Sequence, residues 1–209
     1  MSAPIQGEAT DALARERASL LHRQLRHETA DLHRHLDEQL SVLDSRLSID
    51  RYRDVLQVFL GFYGPIEAGL ASAAGSAAGV PLRARAALIE SDLLALGASR
   101  PQIAQLPRCA DLPRLRCLED LAGCIYVLEG ACLGGQVIAR AVERRLGLGR
   151  DSGVSFFIGD GEATPARWRR VLSWLESLPS GGARGEAIVA SARATFSALI
   201  DWIARRGPF

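Results

Sequence analysis

The sequence contains no lysine, so all 25 of its basic residues are arginines, and they stand against 24 acidic residues for a formal net charge of +1. This near balance leaves no broad basic surface of the kind that binds nucleic acid or an anionic membrane. A local group of arginines would still suit carboxylates, because the planar guanidinium binds them through two parallel hydrogen bonds. We therefore expect no nucleic-acid partner and no membrane partner.

Cysteine is also scarce, with four residues that fall within one stretch: Cys109, Cys117, Cys124 and Cys132. The last three are seven and eight residues apart, which on one helix is two turns and too far for a disulfide between neighbours. No CxxC pair of the kind that binds zinc occurs. The four thiols are predicted to be small buried apolar side chains of a protein in the reducing cytoplasm.

No signal peptide is expected, because charged residues interrupt the N-terminal stretch before an apolar run forms. Two later stretches, residues 55–80 and 121–139, are unusually apolar, but each contains a glutamate, Glu67 in the first and Glu129 in the second. The first stretch also contains the helix-breaking pair Gly64-Pro65. Neither stretch is predicted to span a membrane. Helices that are apolar all round are instead expected inside a protein or against a large apolar ligand.

Apolar positions recur with helical periodicity along almost the whole chain, and no strand pattern is evident. Residues 1–10 are predicted to form a flexible arm, and residues 11–209 a single all-α domain built as a multi-helix bundle. Ser48 is predicted to cap the second helix, and Thr164-Pro165 to begin the fifth with Thr164 as its cap. The predicted helices cover residues 11–43, 49–75 with a kink at 64–65, 82–97, 114–147, 164–179 and 184–206.

All four histidines lie in or beside the first predicted helix, and His33 stands out among them by its neighbours. Residues seven or eleven apart on a helix differ by about 20° around its axis, so His22, Arg26 and His33 share one stripe beside the apolar face. Asp37, one turn beyond His33, is placed to accept the second ring N–H and hold the imidazole neutral for a metal. Any one of these histidines alone would suggest a surface residue of an amphipathic helix.

A second unusual stretch holds Gly130, Gly134 and Gly135 inside an otherwise apolar helix. Each glycine in a helix interior costs about 1 kcal/mol relative to alanine, so three of them within six residues require a reason. The missing Cβ atoms would let the backbone approach something large and flat, or would let another helix pack closely. One stripe at helical spacing consists of Gly123, Tyr126, Gly130 and Gly134.

Several motifs occur together in this chain. The first is Thr29-x-x-x-His33 with Asp37, and the second, later in the chain, is Tyr126-Val127-Leu128-Glu129-Gly130-x-x-Leu133-Gly134-Gly135-Gln136. Further features are Leu88, Asp92, Leu93, Leu96 and Gly97, then Phe156-Phe157-x-Gly159-x-Gly161, and the helix around Trp168. Over residues 17–205 the sequence resembles the haem (heme) oxygenase family, and most of all its bacterial branch, which is often found beside bacteriophytochromes.

The resemblance implies a haem-oxygenase-like bundle in which haem is sandwiched between a proximal helix and a kinked distal helix. His33 would be the proximal ligand of the haem iron, and Asp37 its hydrogen-bonding partner. The distal helix would cover the opposite face of haem with its catalytic glycines, Gly130, Gly134 and Gly135.

The resemblance also implies which side chains contact the haem propionates: Arg26, Tyr126 and Arg169. Arg167 and Arg170 are alternatives to Arg169, because they flank it on the same short stretch. One position departs from part of the family, since Ala131 stands where some members carry an aspartate that orders water near bound O₂.

The implied activity is the oxidative cleavage of haem to biliverdin, CO and Fe²⁺, with haem as both cofactor and substrate. O₂ and an external electron donor such as a ferredoxin or a reductase would be required, because the sequence shows no flavin or nicotinamide motif. The bacterial branch further implies a cytoplasmic enzyme that supplies a bacteriophytochrome with its chromophore.

Other functions are open at this point. A haem-binding or haem-transfer protein without oxygenase activity would share the same motifs. A di-iron oxidase on a similar scaffold would need inward Glu, Asp and His ligands on several helices, whereas the histidines here lie on one. A thiaminase-like hydrolase would need an activated cysteine, and no base is predicted beside Cys132. A purely structural bundle is the remaining alternative.

Overall fold

The computed structural model describes residues 20–40, 47–74, 81, 83–178 and 181–206. All regular elements in these ranges are helical, which confirms the predicted all-α class. The predicted arm at residues 1–10 lies outside the described residues. The helices are α1 (residues 20–28), α2 (Ala30–Leu40), α3 (Ile49–Ala74), α4 (Ala86–Ala95), α5 (Arg100–Ala104), α6 (Leu118–Leu146), α7 (Ser155–Ile158), α8 (Thr164–Ser177) and α9 (Ala183–Arg206).

Local signals in the sequence account for several helix ends. Ser48 accepts a hydrogen bond from the Arg51 N–H at 3.2 Å and so caps α3, as predicted. α6 stops at Gly147, whose φ of +68° is left-handed backbone that favours glycine. Thr164 is the first helical residue of α8 rather than its cap, so that prediction was wrong by one position. Its hydroxyl instead accepts a hydrogen bond from Gln136 Nε2 at 3.3 Å.

Two short helices, α5 and α7, lie where only connections were predicted. Ser99 and Gln102 cap α5 reciprocally, because the side chain of each bonds to the backbone N–H of the other. α7 is held by Asp92 of α4, whose carboxylate accepts the N–H groups of Ser155 and Phe156, each at 2.8 Å. Both helices thus depend on side chain to backbone hydrogen bonds, which apolar periodicity does not reveal.

The core is built around α3, α6 and α9. α3 continues through Pro65 to Ala74 and buries residues on all of its sides. α6 packs closely on α9: a Cβ at Gly123 would lie 2.3 Å from the Ile188 carbonyl oxygen, so only glycine allows the two backbones to come this near. α2 also packs on α9, so one helix supports both of the helices that carry candidate site residues.

All four cysteines lie in described residues and are free. Cys109, Cys124 and Cys132 are buried, as predicted. The prediction is wrong for Cys117, which is exposed because it lies just outside the bundle, at the N-cap of α6.

Within the described ranges, three helices, α3, α6 and α9, are long and apolar enough to cross a membrane by length and composition alone. In the bundle they pack together, and 56% of each apolar window is buried inside the protein. The sequence analysis used Glu67 and Glu129 to argue against a membrane span, but by composition alone these residues do not exclude one. Both carboxylates are bound within the protein, Glu67 by the backbone N–H groups of residues 85 and 86 and Glu129 by Arg167. Packing in the bundle accounts for the apolar sequence.

Candidate functional site

His33 lies in the first turn of α2, with its ring partly exposed. Its Nδ1 is 3.0 Å from Oδ2 of Asp37, one turn later, and the two side chains are 57% and 64% exposed. An Nδ1–H donated to this carboxylate leaves the Nε2 lone pair for a metal. The ring of Phe196, on α9, meets the His33 ring edge-on with centroids 6.0 Å apart. The imidazole is thus oriented by a hydrogen bond on one side and by an aromatic contact on another.

One side of α6 is exposed although it carries no ionisable residue. Four residues share this side of the helix, and we call them the glycine face: Gly130, Leu133, Gly134 and Val137. Leu133 and Val137 are 40% and 54% exposed, which is unusual for large apolar side chains that lie next to each other. A Cβ on Gly134 would meet no atom within 4 Å, so this part of the face is open. The face is suited to a large apolar ligand.

Gly135 does not belong to this face. It is buried against α7, where an added Cβ would lie 3.0 Å from the Phe157 carbonyl oxygen. Helix packing therefore accounts for the glycine at position 135, which lies on a different side of α6 from Gly130 and Gly134.

Aromatic rings border the glycine face at Gly130. Trp168 of α8 lies on this residue, since a Cβ there would be 3.5 Å from the indole. The same indole contacts the rings of Tyr126, at a centroid distance of 5.6 Å, and His22, at 6.1 Å. Burial lowers the pKa of His22, and the positive charge of Arg26 lowers it further. The structure thus brings Arg26 and Tyr126, two of the predicted propionate contacts, to one edge of the glycine face.

The three arginines at the start of α8 have different surroundings. Arg167 binds Glu129 through two parallel bonds, Nε to Oε2 at 2.8 Å and Nη2 to Oε1 at 2.7 Å. This pair, together with the nearby Asp160, raises the pKa of Arg167. Arg169 and Arg170 are exposed. Arg167 is therefore engaged inside the protein, and Arg169 stays a candidate for an external carboxylate.

The contacts on α9 give the relative direction of the two candidate helices. Ser191 of α9 contacts Asp120 of α6, and Thr195, one turn later, contacts Cys124, also one turn later. In the same way, Arg193 contacts Asp31 of α2, and Phe196, further along α9, contacts His33, further along α2. α2 and α6 therefore both run in the direction of α9 over these contacts.

The level of His33 relative to the glycine face follows from one further contact. The side chains of Tyr126 and Thr29 lie near each other: burial raises the pKa of Tyr126, and the Thr29 hydroxyl lowers it. His33 follows Thr29 by one turn of helix, and Gly130 follows Tyr126 by one turn. Because the two helices run the same way, His33 and Gly130 are expected at about the same level. Among the described residues, α2 and α6 scarcely touch each other directly.

Sequence reasoning missed three parts of this site. Phe196 and its neighbour Arg193 gave no local signal, because their partners lie far away in the chain. The aromatic neighbours of Gly130 likewise depend on how α1 and α8 pack. The Glu129–Arg167 pair had a signal, since an acidic residue in an apolar helix requires a partner.

The protein is an all-α bundle in which the helix that carries His33 and the helix that carries the glycine face both pack on α9. A family model described as Heme oxygenase matches residues 19–205. A curated relative named Heme oxygenase, from Xanthomonas campestris pv. campestris (strain 8004), is 34% identical over 157 residues, which are 72% of this chain and 87% of that protein. The chain belongs to the haem oxygenase family.

Two solved structures share the fold. One is the NO- and CO-bound heme oxygenase from Neisseria meningitidis, with a TM-score of 0.70, 17% identity, and coverage of 89% of this chain and 91% of that chain. The other is heme oxygenase from Leptospira interrogans, with a TM-score of 0.70, 19% identity, and coverage of 88% of this chain and 98% of that chain.

Proposed function

We propose that this chain cleaves haem oxidatively to biliverdin, CO and Fe²⁺, that His33 binds the haem iron, and that the glycine face lies over the opposite side of haem. Membership of the family supports the reaction. The observation that carries the assignment of the site is the position of His33: its Nδ1 is engaged by Asp37, and it is one turn beyond the contact between Thr29 and Tyr126.

The side chains present fit an iron porphyrin. A neutral imidazole whose second nitrogen is bound by a carboxylate is a typical iron ligand. Open space at Gly134 and the exposed Leu133 and Val137 suit the apolar ring. Arg26, Tyr126 and Arg169 are the proposed contacts of the propionates, for which a guanidinium is well suited.

When bound, haem would supply the iron that binds and activates O₂, and its ring would be the substrate. The chain's own residues would hold and orient the haem. The Asp37 carboxylate would accept the Nδ1–H of His33 and so fix the tautomer and the orientation of the ring, and the glycine face would leave room for O₂ because it places no side chain beside the helix backbone. Because Ala131 offers no carboxylate, backbone groups of α6 are proposed to order water there.

Further parts of the proposal concern the setting of the reaction. Electrons would come from an external donor such as a ferredoxin or a reductase, and the enzyme would act in the cytoplasm. Supply of biliverdin to a bacteriophytochrome is the proposed physiological role.

The test compares His33→Ala with His35→Ala, a matched control two residues away whose exposed ring contacts only Gln39 among the described hydrogen bonds. Haemin mixed with the wild type or the control should give a sharp Soret band. His33→Ala should weaken haem binding by roughly 10–100-fold or more, because it removes the iron ligand. Equal spectra for the two variants would contradict the assignment of His33.

Turnover separates the enzyme from a haem-transfer protein. With a reductant and O₂, the Soret band of the wild type should decay into the broad absorption of biliverdin. A Soret band that persists after long incubation would instead support haem binding without cleavage.

A further inference from the structure

The helix that carries His33 is interrupted one turn earlier, at Thr29, between α1 and α2. Around this residue, side chains contact backbone groups on both sides of the interruption. The Leu25 carbonyl accepts both the Thr29 N–H at 3.1 Å and the Thr29 hydroxyl at 2.7 Å, and the Leu32 N–H beside the Asp31 carboxylate lowers the pKa of Asp31. His33 then resumes the regular pattern, because its N–H donates to the Thr29 carbonyl at 2.9 Å.

Arg193 of α9 bridges this interruption. Its Nη1 donates to the Glu28 carbonyl at the end of α1, and it also lies 3.3 Å from Oδ1 of Asp31 in the first turn of α2. A carbonyl at a helix C-terminus and a carboxylate both attract a cation, so one guanidinium satisfies both sides of the break. Phe196, one turn later on α9, contacts the His33 ring. The same side of α9 therefore holds both the break and the imidazole.

We infer that Arg193 is a positioning residue for His33: by fixing the break at Thr29, it sets the direction of α2 and hence the place of the imidazole. The inference rests on the proposed role of His33 as iron ligand. α2 packs on α9 and scarcely touches α6 among the described residues, so its direction depends on what α9 holds. Arg193 does not touch the ring, and it acts through the backbone of residues 28–33.

A merely structural role would have a different signature. The Arg193 and Asp31 side chains are 42% and 59% exposed, and an ion pair of this exposure contributes little to global stability. Removal of the pair should therefore change the local geometry at the break much more than the free energy of unfolding.

The first experiment uses the ligand-free protein and the variants Arg193→Met and Arg184→Met. Arg184 is the matched control, because it lies on the same helix and pairs with Glu119 at the surface, with 3.6 Å between Nε and Oε1. Both variants should unfold in urea close to the wild type. Amide hydrogen exchange over residues 29–33 should be about tenfold faster in Arg193→Met alone. Unchanged exchange in this segment would overturn the inference.

The second experiment adds ferric haem and records the absorption spectrum and the dissociation constant. Arg193→Met should bind haem roughly 10–100-fold more weakly and with a broadened Soret band, since loss of a ligand's supporting contact has effects of this size. Arg193→Lys should recover part of the affinity, and Arg184→Met should match the wild type. A wild type that does not bind haem through His33 would overturn the proposed function; normal binding by Arg193→Met beside a competent wild type would overturn the inference alone.

A further variant, Asp31→Asn, weakens the same bridge from the exposed side and keeps an acceptor for the Leu32 N–H. It serves if Arg193→Met does not fold. In Asp31→Asn, amide exchange over residues 29–33 and the Soret band should change in the same direction as in Arg193→Met, by a smaller factor. Wild-type behaviour of Asp31→Asn in both measurements would count against the role of Arg193.

Discussion

At the scale of single residues, the glycines of α6 have different reasons for being glycine. Gly123 allows α9 to approach, and Gly135 allows α7 to approach, because a Cβ at either position would press on backbone atoms. Gly134 has no such neighbour. Glycine at this exposed helix position therefore lowers stability relative to alanine, and no close packing compensates for the loss. Close helix packing, one of the two explanations that the sequence left open, therefore accounts for Gly123 and Gly135 but not for Gly134, where approach of a flat ligand is the proposed reason.

Gly134→Ala separates fold from function. The substitution should stabilise the ligand-free protein by about 0.5–1 kcal/mol, because alanine is the better helix former and the added methyl meets nothing. Haem turnover should nevertheless fall, since the methyl would occupy the space proposed for bound O₂. Urea unfolding and biliverdin formation measure the two effects. Ser72→Ala, an exposed change on α3 to a better helix former, is the control that should stabilise without slowing turnover; equal activity of the two variants would argue against the glycine face.

Residue spacing predicted the pairing of His33 with Asp37, because i and i+4 positions meet on any helix. Spacing could not predict Phe196 or Arg193, whose positions depend on the packing of a helix from the other end of the chain. The resemblance to a known family supplied the iron-ligand role of His33, which no helical geometry indicates by itself.

At the scale of elements, α6 depends on a small helix beneath it. α7 contacts α6 where Gly135 meets Phe157 and where Gln136 Nε2 donates to the Ile158 carbonyl at 2.6 Å. α7 in turn is held by Asp92, whose two carboxylate oxygens accept its first two N–H groups. A four-residue helix is not stable alone, so the support of α6 at this point depends on the buried carboxylate of Asp92 together with Arg85, whose Nη2 donates to the Phe156 carbonyl at 2.8 Å.

Asp92→Ala should destabilise the protein by about 3 kcal/mol, because two buried N–H groups lose their acceptor. Burial raises the pKa of Asp92 against the lowering effect of those donors. The folded chain therefore keeps a proton that the unfolded chain has released, and this contribution to wild-type stability falls as pH rises from about 4 through the raised pKa.

Urea unfolding at several pH values between 4 and 7 tests this. The stability difference between the wild type and Asp92→Ala should be larger at pH 4 than at pH 7, and Glu90→Ala, an exposed change on the same helix, should leave stability near that of the wild type. A difference that grows with pH would contradict the assigned sign.

Long elements were predictable and short ones were not. α3, α6 and α9 carry enough apolar residues for periodicity to show them, and Ser48 marks the start of α3. α5 and α7 have too few residues for a periodic signal and form because distant or reciprocal side chains bind their first N–H groups.

At the scale of the whole molecule, a partly buried ion network joins parts of the chain that are far apart in sequence. Arg167 of α8 binds Glu129 of α6 and lies 3.7 Å from Asp160, which pairs with Arg83 before α4. Neither partner of the central pair is more than 20% exposed. Such a pair contributes mainly by fixing the arrangement, and loss of one member leaves a buried charge.

Arg167→Met should cost about 3 kcal/mol, because Glu129 would remain charged and buried without its partner. Glu129→Gln combined with Arg167→Met should recover part of this loss, which a double-mutant cycle in urea would measure. Arg170→Met is an exposed control on the same helix. Simple additivity of the two changes would show that the pair is not coupled.

The class of the fold followed from the sequence, because helical periodicity extends along nearly the whole chain. The arrangement of α2, α6 and α9 did not follow, since it depends on small contacts such as Gly123 against Ile188 and Ser191 against Asp120. Such contacts set the position of each helix relative to the others, and a pattern along a single helix contains no information about its neighbours.

Cys117 is the one thiol of the four that solvent reaches, and it stands directly before α6. A maleimide dye should therefore label the unaltered protein at a single place, at one end of the helix that carries the glycine face. Porphyrins absorb strongly in the visible range, so energy transfer would quench the dye when haem arrives and release its emission when the ring is destroyed. The protein thus contains its own attachment point for an optical reporter of haem entry and loss.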